Sequence, residues 1–127
     1  MSPYVVAWLT AFVFTQAVEV PLYRFLLPCR VPAAAVPSLL THPVVWFVIF
    51  PSLQTGYTTK VCIAEVFAIL AEAAVCVVLL RRTAAPGDAV NVASSRRVVA
   101  RALVVATCAN VTSLVVGLTS RRLFGIP

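Results

Sequence analysis

Four long apolar stretches, separated by short polar segments, dominate the chain. They cover residues 1–18, 31–59, 61–80 and 102–120. Within them the only titratable acid or imidazole groups are His42 in the second stretch and Glu65 and Glu72 in the third. A membrane-spanning helix needs about 20 mostly apolar residues to cross a hydrocarbon core of roughly 30 Å. The pattern therefore predicts four spans in a single membrane domain, residues 1–127, at about residues 3–25, 33–53, 59–80 and 97–119.

The apolar stretches favour helices over barrel strands. Strands of a membrane barrel alternate polar and apolar residues over about ten positions, whereas residues 44–50 are apolar on both faces. Proline inside a helix removes an amide donor and clashes with the carbonyl four residues earlier. Pro43 therefore predicts a kink in the second span. We expect an all-α membrane protein, a four-transmembrane-helix bundle with a proline-kinked second helix. Pro86, Gly87 and Asp88 are expected in the loop that precedes the last helix.

Composition supports the membrane interpretation. Hydrophobic residues make up 61% of the chain and charged residues 11%, against about 25% charged residues in ordinary soluble domains. A soluble fold is excluded because it needs a polar, water-facing surface. A disordered chain is excluded because disordered segments are polar and highly charged. The net charge is +6, but no basic face with interleaved aromatics is left for nucleic acid. The expected partner is the lipid bilayer, with no nucleic acid.

The distribution of basic residues predicts the orientation. Seven of the ten flank the first and third loops, namely Arg24, Arg30, Arg81, Arg82, Arg96, Arg97 and Arg101. The other side carries Lys60, Arg121 and Arg122. Basic residues are enriched on the cytoplasmic side of membrane proteins. We therefore expect a multi-pass protein of the cell (inner) membrane, with the first and third loops in the cytoplasm and both termini outside.

Acidic residues inside the spans are the main functional signal. Three of the four acids in the chain, Glu19, Glu65 and Glu72, lie within the predicted spans. An ionised side chain at the bilayer centre costs on the order of 3 kcal/mol by insertion scales. These carboxyl groups must therefore be protonated, paired or turned toward a wet interior.

Counting 1.5 Å per residue along each helix places one polar residue from each span within about 7 Å of the midplane. These residues are Glu19, His42, Glu72 and Asn110. We expect them to form a polar cluster in the bundle interior. Gln16, Glu65 and Thr107 are expected at its periphery.

Three functions fit this cluster. In the first, a proton- or cation-linked binding or transport role, Glu19 and Glu72 exchange protons or hold a cation. His42 is then a partner whose charge can change near neutral pH, and Asn110 orients a carboxylate. The second is an intramembrane hydrolase that depends on a metal or a glutamate, although no helical metal-ligand spacing assigns a metal or another cofactor. The third is a structural or accessory subunit of a membrane complex, held together by these polar contacts.

The small size of the bundle bears on its partners. Four helices of this length enclose little volume. A transport pathway is therefore expected to require a homodimer or a partner membrane protein.

Several short motifs carry a resemblance to known proteins. They are Glu19-Val20-Pro21-Leu22-Tyr23, Thr41-His42-Pro43-Val44-Val45-Trp46, the segment from Glu65 to Glu72, and Ala109-Asn110 with Ser113 and Gly117. Over nearly its whole length the chain resembles a group of small four-span bacterial integral membrane proteins of unassigned function. Glu19 and Arg24 also have the separation found in the first motif of glutamic intramembrane proteases, with Val20 where that family has a second glutamate. That likeness implies a hydrolase.

Overall fold

The computed structural model describes residues 1–83 and 92–124. It contains four long helices, and the described part of the chain has no strand. The first helix is Pro3–Leu26 and the second is Val31–Ser52. The third is Tyr57–Thr83 and the fourth is Val92–Phe124. The third and fourth helices extend several residues beyond the predicted spans into the arginine-rich segments. The predicted loop residues Pro86, Gly87 and Asp88 lie outside the described residues.

Proline and serine define the ends of the first helix. Ser2 caps its start, since the Ser2 side chain accepts a hydrogen bond from the Val5 amide at 3.3 Å, and Pro3 fits the first turn because its missing N–H needs no partner there. The helix ends at Leu26, and the Leu27 amide donates to the Tyr23 carbonyl at 2.8 Å. Pro28 follows and prevents continuation of the helix.

The second helix changes its hydrogen-bonding pattern directly after Pro43. Residues Val31–Val44 are α-helical, Val45–Ile49 form a π-helical turn, and Phe50–Ser52 complete the span. Pro43 supplies no amide hydrogen, so the regular ladder cannot pass through it, and an i→i+5 turn follows. Such π-helical turns are a recognised cause of helix bending.

The helices pack as a closed ring in chain order. The first helix packs on the second and the fourth, and the third packs on the second and, most extensively, on the fourth. Alanine side chains fill much of the interior, which allows close approach of the backbones. The fully buried ones are Ala34, Ala102, Ala106 and Ala109.

The surface of the bundle is apolar and its interior holds polar side chains. Large hydrophobic residues such as Phe25, Val66 and Leu70 are exposed, whereas Glu19 and Glu72 are each 1% exposed. All four helices are long and apolar enough to cross a membrane. The prediction of an all-α, four-helix multi-pass membrane protein is confirmed.

Candidate functional site

Glu72 lies where all four helices meet and receives a hydrogen bond from each of the other three. Its Oε2 accepts from the Tyr23 hydroxyl at 2.5 Å and from Asn110 Nδ2 at 2.6 Å. Its Oε1 accepts from the Thr41 hydroxyl at 2.6 Å. Tyr23 is on the first helix, Thr41 on the second and Asn110 on the fourth. Both carboxyl oxygens of Glu72 are therefore satisfied inside the bundle.

Glu19 is held in a parallel way by two serines. Its Oε1 accepts from the Ser113 hydroxyl at 2.6 Å, and its Oε2 accepts from the Ser38 hydroxyl. Ser38 comes from the second helix and Ser113 from the fourth. Glu19 therefore links the first helix to both of its neighbours in the ring.

Two short segments position the donors for both carboxyl groups. On the second helix, Ser38 binds Glu19 and Thr41 binds Glu72. On the fourth helix, Ser113 binds Glu19 and Asn110 binds Glu72. In each pair the two donors are three residues apart, which places them on one face of a helix about one turn apart. The two carboxyl groups are consequently fixed at neighbouring levels of the same interior.

Every donor to these two carboxyl groups in residues 1–83 and 92–124 is uncharged. Two of the hydroxyl groups also have a second acceptor within reach. Thr41 Oγ1 lies 3.2 Å from the Pro37 carbonyl, and Ser113 Oγ lies 3.0 Å from the Asn110 carbonyl. A hydroxyl carries one hydrogen but can also accept. Thr41 and Ser113 can therefore serve either a charged carboxylate or a protonated carboxyl group.

His42 lies beside this network but does not join it. Within the described residues it forms no hydrogen bond to either carboxyl group, and its Nδ1 is buried without a partner. The imidazole instead packs among aromatic rings, with centroid distances of 5.3 Å to Phe12 and 6.0 Å to Trp46. Trp8 lies 6.5 Å away and its Nε1 is likewise buried without a partner.

A cavity of about 270 Å³ opens beside the two carboxyl groups. Its lining residues Glu19, Glu72 and Asn110 are buried, whereas Tyr57 and Arg121 are exposed and lie near the helix ends on the side of the second loop, so the mouth of the cavity is at that end. His42 and Glu65 line it as well. The cavity thus brings the four residues of the predicted cluster to one space, although His42 is not hydrogen-bonded to the other three.

The residues predicted at the periphery have three different environments. Glu65 is half-buried, lines the cavity and has no hydrogen-bond partner among the residues that the structure describes. Gln16 lies on the first helix, one turn before Glu19, and its Nε2 is 3.5 Å from the Ala35 carbonyl, a long contact. Thr107 is exposed on the outer face of the fourth helix.

Four hydroxyl donors were not assigned to the cluster from the sequence. They are Tyr23, Ser38, Thr41 and Ser113. Spacing gives one sequence signal for two of these donors. Tyr23 follows Glu19 by four residues and Ser113 follows Asn110 by three, so each shares a helix face with a residue of the predicted cluster. Serine and threonine are common in membrane helices and often bond only to their own backbone, as Thr112 does to the Cys108 carbonyl at 2.6 Å. Spacing alone therefore cannot distinguish a site donor from an ordinary hydroxyl.

Metal binding has no support in the geometry of the described segments, where no group of three or more His, Cys, Asp or Glu side chains could hold an ion. The arrangement can instead donate to, accept from and exchange protons with a carboxyl group. Comparisons with protein-family models, curated proteins and solved structures find no match to this chain.

Proposed function

We propose that this multi-pass membrane protein takes up and releases protons at Glu19 and Glu72, in a binding or transport role that uses the adjoining cavity. The observation that carries the proposal is the pair of hydroxyl groups with two acceptors each. They allow both charge states of each carboxyl group to be hydrogen-bonded.

At Glu72 the two oxygens have different partners. Oε2 accepts from Tyr23 and Asn110, whose amide nitrogen can only donate. Oε1 faces Thr41 alone. Protonation at Oε1 makes the carboxyl group a donor to Thr41 Oγ1, and the Thr41 hydrogen then turns to the Pro37 carbonyl. One proton is gained at Glu72 and no hydrogen bond is left unmade.

Glu19 supports the same exchange. Its Oε1 is paired with Ser113, which has the Asn110 carbonyl as its second acceptor. A proton on Oε1 reverses the bond to Ser113, while Ser38 continues to donate to Oε2. Because an unpaired charge is expensive at this depth, we expect the neutral form of at least one of the two carboxyl groups to be populated.

Infrared absorption of the purified protein in lipid nanodiscs tests the proposal. Protonated carboxyl groups have a C=O band separate from that of carboxylates, and we expect this band to change reversibly with pH. Glu72→Gln and Glu19→Gln should each remove one component of the band. Glu65→Gln is the matched control, because it removes a carboxyl group from the same cavity and should leave both components.

Thr41 supplies a finer test. Thr41→Ser keeps the hydroxyl and should keep the pH midpoint of the Glu72 component, whereas Thr41→Val removes the hydroxyl and should move that midpoint. A band that does not respond to pH, or that is unaltered in Glu19→Gln and Glu72→Gln, would contradict proton exchange at these residues.

A structural subunit is the second candidate, favoured by the fact that Glu72 is bonded by residues of the other three helices. Hydrogen bonds between membrane helices contribute about 1 kcal/mol each. If Glu19 and Glu72 serve packing alone, Gln substitutions should lower thermal stability while a pH-dependent carboxyl band remains absent from the unaltered protein. The infrared titration therefore separates the two candidates.

We further propose that the cavity opens to the outside of the cell and that transport uses a second copy of the chain or a partner membrane protein. The proposal follows from the basic residues: Arg24 and Arg101 lie at the end of the bundle opposite the cavity mouth, where they donate to the Cys29 and Leu26 carbonyls at 2.9 and 3.0 Å. The cavity of about 270 Å³ ends at the two carboxyl groups. A continuous pathway across the membrane therefore needs lining residues from another chain.

A further inference from the structure

A ladder of four rings forms one wall of the cavity. The ring of Tyr57 lies 6.5 Å from that of Phe50, Phe50 lies 6.3 Å from Trp46, and Trp46 lies 6.0 Å from His42. His42, Trp46 and Phe50 follow one another at intervals of four residues on the second helix, so they share one face across the π-helical turn. The three rings stack with interplanar angles of 22° and 23°. All four line the cavity.

Glu65 faces the same space from the third helix. It is eight residues beyond Tyr57, which corresponds to about 12 Å along the helix axis. The oxygens of Glu19 and Glu72 already accept bonds from protein donors. Glu65 differs from them, because no partner for it occurs in the described part of the chain. It is the carboxyl group of this cavity whose oxygens accept no hydrogen bond from the described residues, so both of its oxygens can serve a ligand.

Charge and size restrict what that ligand can be. The lining contains three carboxyl groups, the imidazole of His42 and one cationic side chain, Arg121, which lies near the mouth together with Tyr57. A cation at Glu65 compensates a charge that is otherwise unpaired within the membrane. Aromatic rings attract cations through their faces, and they also pack against an apolar body. At about 30 Å³ for each water, the cavity corresponds to roughly nine waters, which matches a ligand of about ten heavy atoms.

We propose that the cavity binds a small organic amine, with its ammonium group on Glu65 and its apolar body along the ring ladder. A bare metal ion fits less well, because Glu65 belongs to no group of three metal-ligating side chains among the described residues. The ammonium group donates hydrogen bonds to Glu65, and the remainder of the molecule extends toward Tyr57. The site uses a carboxyl group different from those in the proposed proton exchange, so each proposal can fail without the other.

Tryptophan fluorescence can report binding directly. The chain has two tryptophans, of which Trp46 lines the cavity and Trp8 is not among its lining residues. A Trp8→Phe background therefore leaves Trp46 as the reporter. The probe is phenethylamine, titrated into the detergent-solubilised protein, and phenethyl alcohol is the uncharged control of similar shape. We expect saturable quenching by the amine and none by the alcohol over the same concentrations.

Substitutions of Glu65 decide the assignment. Glu65→Gln should weaken phenethylamine binding by about tenfold or more, as expected for loss of a charge-assisted hydrogen bond. Glu65→Asp keeps the charge but withdraws it from the ring ladder, and it should bind with intermediate affinity. Thr107→Val, on the exposed face of the fourth helix, should bind like the unaltered protein. Size-exclusion chromatography of each variant establishes that the fold is retained.

Three results would overturn the proposal. They are equal binding of the alcohol and the amine, equal amine affinity in Glu65→Gln, and no saturable quenching by the amine at all. Any of them can occur while the carboxyl infrared band still titrates at Glu19 and Glu72, and the proposed proton exchange then stands. If the band is inert and Glu65-dependent quenching persists, the amine site stands and proton exchange is excluded.

Discussion

Asn110 Nδ2 lies 2.6 Å from Glu72 Oε2 and 3.0 Å from the Ala106 carbonyl, so both of its amide hydrogens are used. The first bond joins the fourth helix to the third, and the second fixes the side chain to its own helix. Asn110 is 5% exposed and Glu72 is 1% exposed, so loss of either bond leaves a largely buried polar group without a protein partner. The pair is therefore expected to contribute to stability as well as to the chemistry of Glu72.

Asn110→Ala should lower the free energy of unfolding by about 1–2 kcal/mol, because Glu72 loses one of its two donors at Oε2. In a double-mutant cycle with Glu72→Ala, the coupling energy between the two positions should be about 1 kcal/mol. Reversible unfolding in mixed micelles measures both values. Thr107→Ala, an exposed position on the same helix, should change stability by less than about 0.5 kcal/mol. A coupling energy of zero would mean that the Asn110–Glu72 bond adds nothing in solution.

His42→Phe should leave the pH response of the carboxyl infrared band in place. The imidazole makes no hydrogen bond to Glu19 or Glu72 in the described residues, and it stacks among rings that a phenyl group can also join. The substitution also removes a buried nitrogen that lacks a partner, so stability should not fall. If His42→Phe abolishes the pH response as Glu72→Gln does, the imidazole takes part in proton exchange after all.

Substitutions of Gly117 add side-chain volume at a position that lines the cavity. A Cβ atom at this position would lie 3.8 Å from Phe14 Cε1, an ordinary contact, and alanine is the better helix former by about 1 kcal/mol. Gly117→Ala should therefore fold normally with equal or greater stability. Gly117→Leu places a larger side chain at a cavity-lining position and should abolish quenching of Trp46 by phenethylamine. Retained quenching in Gly117→Leu would place the bound amine elsewhere.

Orientation in the membrane can be read from labelling of single cysteines. In a background with the four native cysteines replaced by alanine, Gln54→Cys in the second loop should react with a membrane-impermeant maleimide added to intact cells. Arg30→Cys in the first loop should react only after the membrane is permeabilised. This result follows from the excess of basic residues at the first and third loops. The reverse pattern would place the cavity mouth in the cytoplasm.

The sequence predicted the helices well and the internal contacts only in part. An uncharged apolar stretch of about 20 residues is typical of a membrane-spanning helix. The four spans therefore followed directly from length and hydropathy. Counting along the helices also placed Glu19, Glu72 and Asn110 at compatible depths. Rotation about each helix axis was harder to predict, because helices that are apolar nearly all round carry little pattern to show which face turns inward.

His42 and Thr41 illustrate that difficulty. The two residues are adjacent and therefore point about 100° apart on the helix. From the sequence, the imidazole was the expected partner of the carboxyl groups because its charge can change near neutral pH. In the structure Thr41 bonds Glu72, while His42 turns to the rings of Phe12 and Trp46. Depth could be counted from the sequence, but the direction of each side chain depended on packing among all four helices.

The bond between Glu19 and Ser113 joins residues 94 positions apart. At synthesis rates of about 5–20 residues per second, Glu19 emerges roughly 5–20 seconds before its partner on the last helix. During that interval the first helix holds a buried acid whose donors are incomplete, and a chain truncated before the fourth helix would remain in that condition. The interior hydrogen bonds are thus completed only in the finished bundle, and an unfinished bundle keeps carboxyl groups in the membrane without their full set of donors.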